Sequence, residues 1–354
     1  KMLMQSLLSL VWARFRSMAS APPRALQQRL CGAALWAVVR AAVAAGQATC
    51  AAGRGGCVES PLLHSERVVL SEHPRVYLLE DFLKASEVAH LVGLMRELGA
   101  LWPAKGETPD GYHQDYVPAD RYKGDAVLSA LEGRLSLLAN IPFEVGSSHR
   151  ISLSVRNSTA AGLANVHHDH KAAAQIFPVR EMLEEGQVPT ANMLASELQA
   201  TLLGYLEASE GGGETIFPCI CNRTLKSCRT VQHACRSLYE QGLLEVHPGP
   251  GVVDRYLQKL SPEAQGKASK SKEVLLNAAE ALCAGRSDRG LKIAPRAGRA
   301  LFFFSNSVRG TADPRAWHGS CKVTKGRKLT MQRFVYAPEG DEETGKHTTA
   351  MLSV

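Results

Sequence analysis

The chain has 354 residues, is 45% hydrophobic and 21% charged, and carries a formal net charge of +7. That composition supports a sizeable globular core and argues against intrinsic disorder, and the length suits one large domain with an extension, or two domains. The basic residues are dispersed, with neither aromatic interleaving nor zinc-finger spacing, so nucleic acid is not an expected partner.

From the N-terminus, Arg24 and Arg29 precede an Ala/Val-rich run from Cys31 to Gly46. This resembles a signal peptide or a short signal anchor, so a membrane anchor at this end is an expectation; a transit peptide or an amphipathic helix are the competing readings. Arg40 interrupts the run, which is short for a spanning helix. Residues 1–60 are read as a targeting, anchor and linker region, 61–340 as the folded domain, and 341–354 as a tail. Within this scheme residues 51–74 are Gly/Ser/Pro-punctuated and read as linker.

A strand is expected from Pro74 to Leu79. Leu83, Val88, Leu91, Val92, Met95 and Leu98 then recur at helical spacing and predict a helix over 85–98; Leu128, Leu131, Leu135 and Leu138 predict another over 126–139. After Ile141-Pro142 the pattern changes to short strands: Ile151–Val155, one around residues 166–169, Ala200–Leu206, Ala300–Ser305 and Leu329–Tyr336. Several such strands separated by turns predict a sandwich or jelly roll. The expected fold class is mainly β with supporting helices (α+β), a jelly-roll core with the N-terminal helices packed on it.

Residues 219–290 read as a long insertion between core strands, with a Lys-rich stretch from Gln265 to Lys272 and a helix from Glu273 to Cys283; a lid or an oligomer contact are its expected roles. Of the nine cysteines, Cys219, Cys221, Cys228, Cys235 and Cys283 crowd this segment, with Cys31, Cys50 and Cys57 nearer the N-terminus. The crowding predicts a disulfide-tied excursion near the site mouth, and no Cys-x-x-Cys pair supports a structural zinc. Asn157-Ser158-Thr159 and Asn222-Arg223-Thr224 fit the glycosylation acceptor pattern. Together these make the endoplasmic reticulum or secretory pathway the expected location.

The chemistry centres on Ala164-Asn-Val-His-His-Asp169. On a strand, residues i and i+2 share a face, so His167 and Asp169 would direct an imidazole and a carboxylate to one point. With a distant histidine they would form the 2-His-1-carboxylate triad that holds non-haem Fe(II) and leaves coordination positions open. Alone, His-x-Asp is a weak signal. Three further blocks follow: Ala200–Leu206, Gly212–Pro218, and Asp313–Cys321 with its His318, ten residues before Lys328.

Taken in order over about residues 74–336, the four blocks resemble the catalytic domain of prolyl 4-hydroxylases, both the plant and algal monomeric type and the collagen hydroxylase α-subunit, within the Fe(II)- and 2-oxoglutarate-dependent dioxygenases. The resemblance implies a double-stranded β-helix with iron at its mouth, held by His167, Asp169 and His318. It implies 2-oxoglutarate and O₂ at the open positions, decarboxylation to succinate and CO₂ coupled to hydroxylation of a peptidyl proline, and L-ascorbate keeping the iron reduced. Lys328 would pair with the far carboxylate of 2-oxoglutarate, and Tyr205 and Thr201 would line that pocket, a hydroxyl sharing the same carboxylate. The implied partner is a Pro-rich protein or peptide; oligomeric state is open.

Two departures bear on substrate. Ala164 stands where relatives carry a Tyr three residues before the first metal His, and Leu198 where many carry an Arg three residues before the pocket Thr; both positions are expected to grip the hydroxylated residue. Bland readings accompany the rest. His168 and His170 would face solvent or replace a ligand, Lys325 and Arg327 would be surface charges, Gly212-Gly213-Glu214-Thr215 a structural turn, and Trp317 a packing residue. The alternative functions are the same cofactors acting on another side chain or a small molecule, and a non-catalytic jelly roll that binds Pro-rich peptides.

Overall fold

A computed structural model describes residues 67–99, 112–118, 121, 124–139, 151–158, 166–169, 198–221, 225–246, 260–307 and 312–336. The targeting region, the tail, Ala164 and His170 lie outside the described residues. In chain order the strands are β1 (Arg67–Glu72), β2 (Arg75–Leu79), β3 (Tyr112–Tyr116), β4 (Ser152–Asn157), β5 (Val166–His167), β6 (Leu198–Glu207), β7 (Gly211–Gly212), β8 (Thr215–Phe217), β9 (Glu245–Val246), β10 (Leu291–Ile293), β11 (Ala300–Phe304), β12 (Gly319–Ser320), β13 (Val323–Lys325) and β14 (Arg327–Tyr336). The helices are α1 (Ala85–Glu97), α2 (Ala126–Ala139), α3 (Lys226–Glu240) and α4 (Pro262–Cys283).

The central strand β11, Ala-Leu-Phe-Phe-Phe, is buried throughout, which requires cover on both faces of its sheet. Alternation divides its side chains accordingly. Phe302 and Phe304 enter the cluster formed with Leu91, Met95, Leu128 and Leu131 of α1 and α2. Leu301 and Phe303 point the other way, towards Tyr205 of β6, Phe217 of β8 and Ile293 of β10. The two predicted helices therefore cover one face of the large sheet, whose order is β1-β2-β11-β6-β14-β4-β3.

The opposite face meets a smaller layer. It comprises β10-β8-β12 and the pair β5-β9, joined by an antiparallel bridge between His167 and His318. Leaving aside the added edge strands, β4-β14-β6-β11 faces β5-β12-β8-β10 with all pairings antiparallel. Four strands on each side, visited by a chain that passes back and forth between layers, make a jelly roll. Mainly-β architecture with supporting helices is what the strand pattern predicted.

Two expectations require correction. Part of the 51–74 linker is structured: β1 pairs with β2 as a hairpin. Its pattern was weak because the strand is an edge with Val68 and Val69 exposed, and Pro74 marks the hairpin turn, not a linker. Helix α4 begins at Pro262, eleven residues before the expected start. Ser261 caps it by accepting from Ala264 N–H at 3.4 Å, and Pro262 occupies the first helical position. The Lys-rich stretch is the solvated face of that helix, while Ala268, Leu275, Ala279 and Leu282 are buried. The expected disulfide ties of the insertion are present: Cys219–Cys235 and Cys221–Cys228 lie within it, and Cys283 joins Cys321 beyond it.

Helices and sheet are also fixed by buried ion pairs. Arg333 of β14 lies 2.9 Å from Glu132 of α2, the side chains 2% and 6% exposed. Arg134 lies 2.7 Å from Glu87 of α1 and donates to Phe82 O at 2.6 Å. Removing one member of such a pair leaves a buried charge uncompensated. Glu132→Ala is expected to lower unfolding free energy by about 3–5 kcal/mol, read from urea denaturation; a loss below about 1 kcal/mol would show that water reaches Arg333.

Candidate metal centre and co-substrate cavity

His167 and His318 are brought together by backbone. His167 N–H donates to His318 O and His318 N–H donates to His167 O, both at 2.8 Å. Residues opposed in this way project to the same face of a sheet, so the rings meet with centroids 4.4 Å apart. Asp169 joins them from the turn after β5. The strand ends at His167, so the convergence owes its second member to the turn and not to strand alternation over 167–169. Asp169 Oδ1 lies 3.5 Å from His167 Nε2 and 3.3 Å from His318 Nε2. The three ligand atoms all fall within 4.8 Å of one another.

The donor set fits a divalent transition metal. His318 Nδ1 is 3.0 Å from Ala316 O; a carbonyl only accepts, so Nδ1 carries the proton and the Nε2 lone pair faces the triad. Phe303 and Phe217 wall the ring at 4.7 and 5.5 Å. Asp169 is 2% exposed, and burial alone would raise its carboxyl. The adjacent His318 and His167 outweigh burial and hold it well below the usual carboxylate range. For His318, burial pulls the imidazole down, but Asp169 outweighs it and raises it overall.

His168 is a correction to the solvent-facing reading: it is fully buried and points away from the triad. Its backbone N–H donates to Leu244 O at 2.8 Å, its Nε2 sits 3.0 Å from Asp313 O, and its ring packs on Tyr239 at 5.1 Å. Burial pushes it down to about 4, so it is a neutral core histidine. Trp317 likewise packs away from the cavity, its Nε1–H donating to Cys235 O at 3.1 Å. The Gly212-Gly213 block is a turn with φ of +72° and +76°, values that favour glycine.

The triad opens onto a cavity of about 250 Å³. Lys328 lies across it, 6% exposed, its Nζ 3.3 Å from both Thr215 Oγ1 and Ser320 Oγ and 5.3 Å from the centre of the Tyr205 ring. Burial, and then the nearby Arg156, push its amine down to about 7, against a smaller pull from Glu214. Its neighbours Arg327 and Lys325 instead make exposed pairs with Glu207 and Glu210, as strand alternation predicts.

Tyr205 and Thr201 do not line the cavity, contrary to expectation. Tyr205 OH donates to Thr215 Oγ1 at 2.7 Å, so it acts on Lys328 through Thr215 and through its ring face; burial pushes its phenol up. Thr201 Oγ1 donates to Asp169 Oδ2 at 2.5 Å, leaving Oδ1 towards the histidines. Leu198 is fully buried and lies off this cavity, so the position fills core. Thr215 and Ser320 escaped the sequence reading. Ser320 was legible by alternation, two residues beyond His318 on the same strand face.

Partners that orient a metal ligand commonly contribute 10–100-fold in affinity. Thr201→Val, which keeps shape and removes the donor, is expected to weaken Mn(II) binding by about tenfold or more, with Thr201→Ser close to the parent. Isothermal titration would decide, and equal affinity in all three proteins would show that Thr201 only fills space.

The chain matches no protein-family model. It is 24% identical over 287 residues to probable prolyl 4-hydroxylase 7 of Arabidopsis thaliana, covering 80% of this chain and 69% of that protein. To prolyl 4-hydroxylase 1 of the same plant it is 21% identical over 274 residues, covering 75% of this chain and 70% of that protein. Among solved structures it is similar to the viral collagen prolyl hydroxylase of Paramecium bursaria Chlorella virus-1 in its 2-oxoglutarate complex, at 15% identity over 75% of this chain and 96% of that one, with a TM-score of 0.39. The fold assignment rests on strand order and not on that overlay. By sequence, over three quarters or more of its length, the chain is similar to the plant prolyl 4-hydroxylases.

Proposed function

We propose that the protein is an Fe(II)- and 2-oxoglutarate-dependent dioxygenase that hydroxylates peptidyl proline and converts 2-oxoglutarate to succinate and CO₂, with ascorbate maintaining reduced iron. The observation that carries this reading is the pairing, within one cavity, of a 2-His-1-carboxylate cluster with a buried lysine whose Nζ contacts are hydroxyls. A buried cation without a close carboxylate is costly unless an anion answers it. The relatives' names supply the proline.

His167, Asp169 and His318 would hold the iron, which supplies O₂ activation coupled to 2-oxoglutarate decarboxylation when bound. The chain's own groups do the positioning. Lys328 would take the far carboxylate of 2-oxoglutarate by a charge-assisted hydrogen bond, with Thr215 and Ser320 donating beside it. Thr201 fixes the Asp169 rotamer, and the Ala316 carbonyl fixes the His318 tautomer. Phe217 and Phe303 limit water on the inner side of His318.

Three disulfides support placement in an oxidising compartment of the secretory pathway. A Pro-rich protein as physiological partner is part of the same proposal. Among the described residues no helix is long and apolar enough to cross a membrane.

The test is incubation with Fe(II), ascorbate, 2-oxoglutarate and Pro-rich peptides, following succinate and a peptide mass gain of one oxygen atom. Both are expected with the parent and neither with Asp169→Ala; succinate without peptide oxidation would reject proline as the target. Lys328 adds a pH dependence. Its amine is charged below about 7 in the free site and neutral above, so affinity for 2-oxoglutarate is full at lower pH and lost as pH rises. Above about pH 7, Kd is expected to rise by up to about tenfold per unit, and Lys328→Arg should flatten that slope. Titration of the Mn(II)-loaded protein measures it; a flat profile in the parent would mean the far carboxylate lies elsewhere.

A further inference from the structure

Helix α3 of the insertion breaks two rules of helix electrostatics on one face. Lys226, Arg229, His233 and Arg236 are all exposed and recur at helical spacing, so they form a single row along the helix. The buried Cys228, Ala234, Cys235, Leu238 and Tyr239 lie on the opposite face. Within the row, Lys226 and Arg229 are one turn apart and repel each other. The first turn has a lysine and no acidic residue, while the helix ends in Glu240, so its charges run against the helix dipole. Local rules of this kind are broken most often at functional sites.

The protein does not answer these charges itself. Elsewhere on the surface Arg121, Lys267, Arg296, Lys325 and Arg327 each reach a carboxylate. Among the described residues, Lys226, Arg229 and Arg236 form no ion pair. Arg289 adds a guanidinium at the N-terminal end of the row, its Nη1 donating to Ser227 Oγ at 2.6 Å. Beside it Leu225, the N-cap residue, makes no capping bond and is 44% exposed. The row is held from behind. Cys219–Cys235 and Cys221–Cys228 tie α3 to the segment before it, and Gln232 Nε2 donates to the Cys219 and Cys221 carbonyls, each at 3.2 Å. A row fixed in this way binds with little ordering cost.

The shape of the row selects the partner. From Lys226 to Arg236 it is about 15 Å long at the helical rise and one residue wide, flanked by the uncharged Thr230, Gln232 and Ser237. That suits a linear anion better than a flat anionic surface. Three carboxylates on alternate residues of an extended chain span about 13 Å on one face, and the exposed Leu225 offers an apolar contact at one end. We propose that the outer face of α3 is a docking surface for an acidic segment of a partner polypeptide, with Asp or Glu at alternate positions and an apolar residue at one end. The inference uses no group of the cavity and stands apart from the proposed function.

The test uses two labelled peptides with a terminal Leu, identical except that alternate positions carry Glu in one and Gln in the other. Each is titrated into the full chain at low salt and followed by fluorescence anisotropy. The Glu peptide is expected to bind about tenfold more tightly, as for three exposed ion pairs together, and to lose that advantage in about 1 M salt. Lys226→Gln, Arg229→Gln and Arg236→Gln combined should abolish the preference. The same change at Lys267, Lys270 and Lys272 of α4 should leave it intact. The combined α3 variant relieves repulsion on an exposed face, so its Tm is expected at or above that of the parent. Should it melt lower, Arg229→Glu read against Arg229→Lys makes the same comparison, with the preference lost in the first and kept in the second. Equal binding of the two peptides by the parent, or binding of neither, overturns the docking surface. An equal loss in the α4 variant assigns the effect to net charge and overturns it too. Row-dependent binding of phosphatidylserine vesicles or heparin without binding of the Glu peptide would assign the row to a lipid surface or a sulfated glycan instead, and so reject the polypeptide.

Discussion

The reciprocal backbone pair between His167 and His318 is the constraint on which the site depends. His167 closes the two-residue β5 and His318 immediately precedes the two-residue β12, and pairs that short do not persist in water by themselves. The insertion supplies the missing support. Its strand β9 pairs Val246 with Val166 and Glu245 with His167. The Leu244 carbonyl accepts from His168 N–H, the Cys235 carbonyl accepts from Trp317, and the Cys283–Cys321 disulfide ties α4 to the chain three residues beyond His318. Alternation makes the arrangement work: Val166, His168 and Trp317 pack towards the inserted helices while His167 and His318 face the cavity. The insertion is thus the outer wall of the layer that carries the metal ligands.

Buried charge is distributed on the same logic. Arg333 and Arg134 are matched by Glu132 and Glu87, where the helices meet each other and the sheet. Asp169 is matched by two imidazoles and the Thr201 hydroxyl. Lys328 is the exception, with hydroxyls at Nζ and the positive charge of Arg156 across the strand pair. A protein selected for stability alone would place a neutral side chain there. The free protein carries this cost at the cavity onto which the triad opens.

What could be read from the sequence follows the length of each pattern. Helices α1 and α2 and strands β11 and β14 were legible because each repeats its apolar period over several turns or residues against one contiguous core. The two-residue strands β5, β9 and β12 have no period to detect, so the fold of the smaller layer was implied by the family resemblance and not by hydrophobicity. Helix α4 lost its first half because Lys267, Lys270 and Lys272 masked a stripe of small residues, Ala268 and Ser271, buried beneath them. The metal ligands were legible as residue types. Their supporting partners were not, since a threonine 32 residues from Asp169 reaches it only once the two layers have closed.

The layering also separates two tasks. The smaller layer holds His167, Asp169 and His318 and is locked by the insertion, whereas the large sheet contributes Lys328 and Arg156 from strands β14 and β4 and ends in the exposed edge β3. The departure at Leu198 is absorbed by core at the start of β6, opposite Tyr336. The two layers meet at Asp169, whose carboxylate is held by Thr201 of β6 in the large sheet.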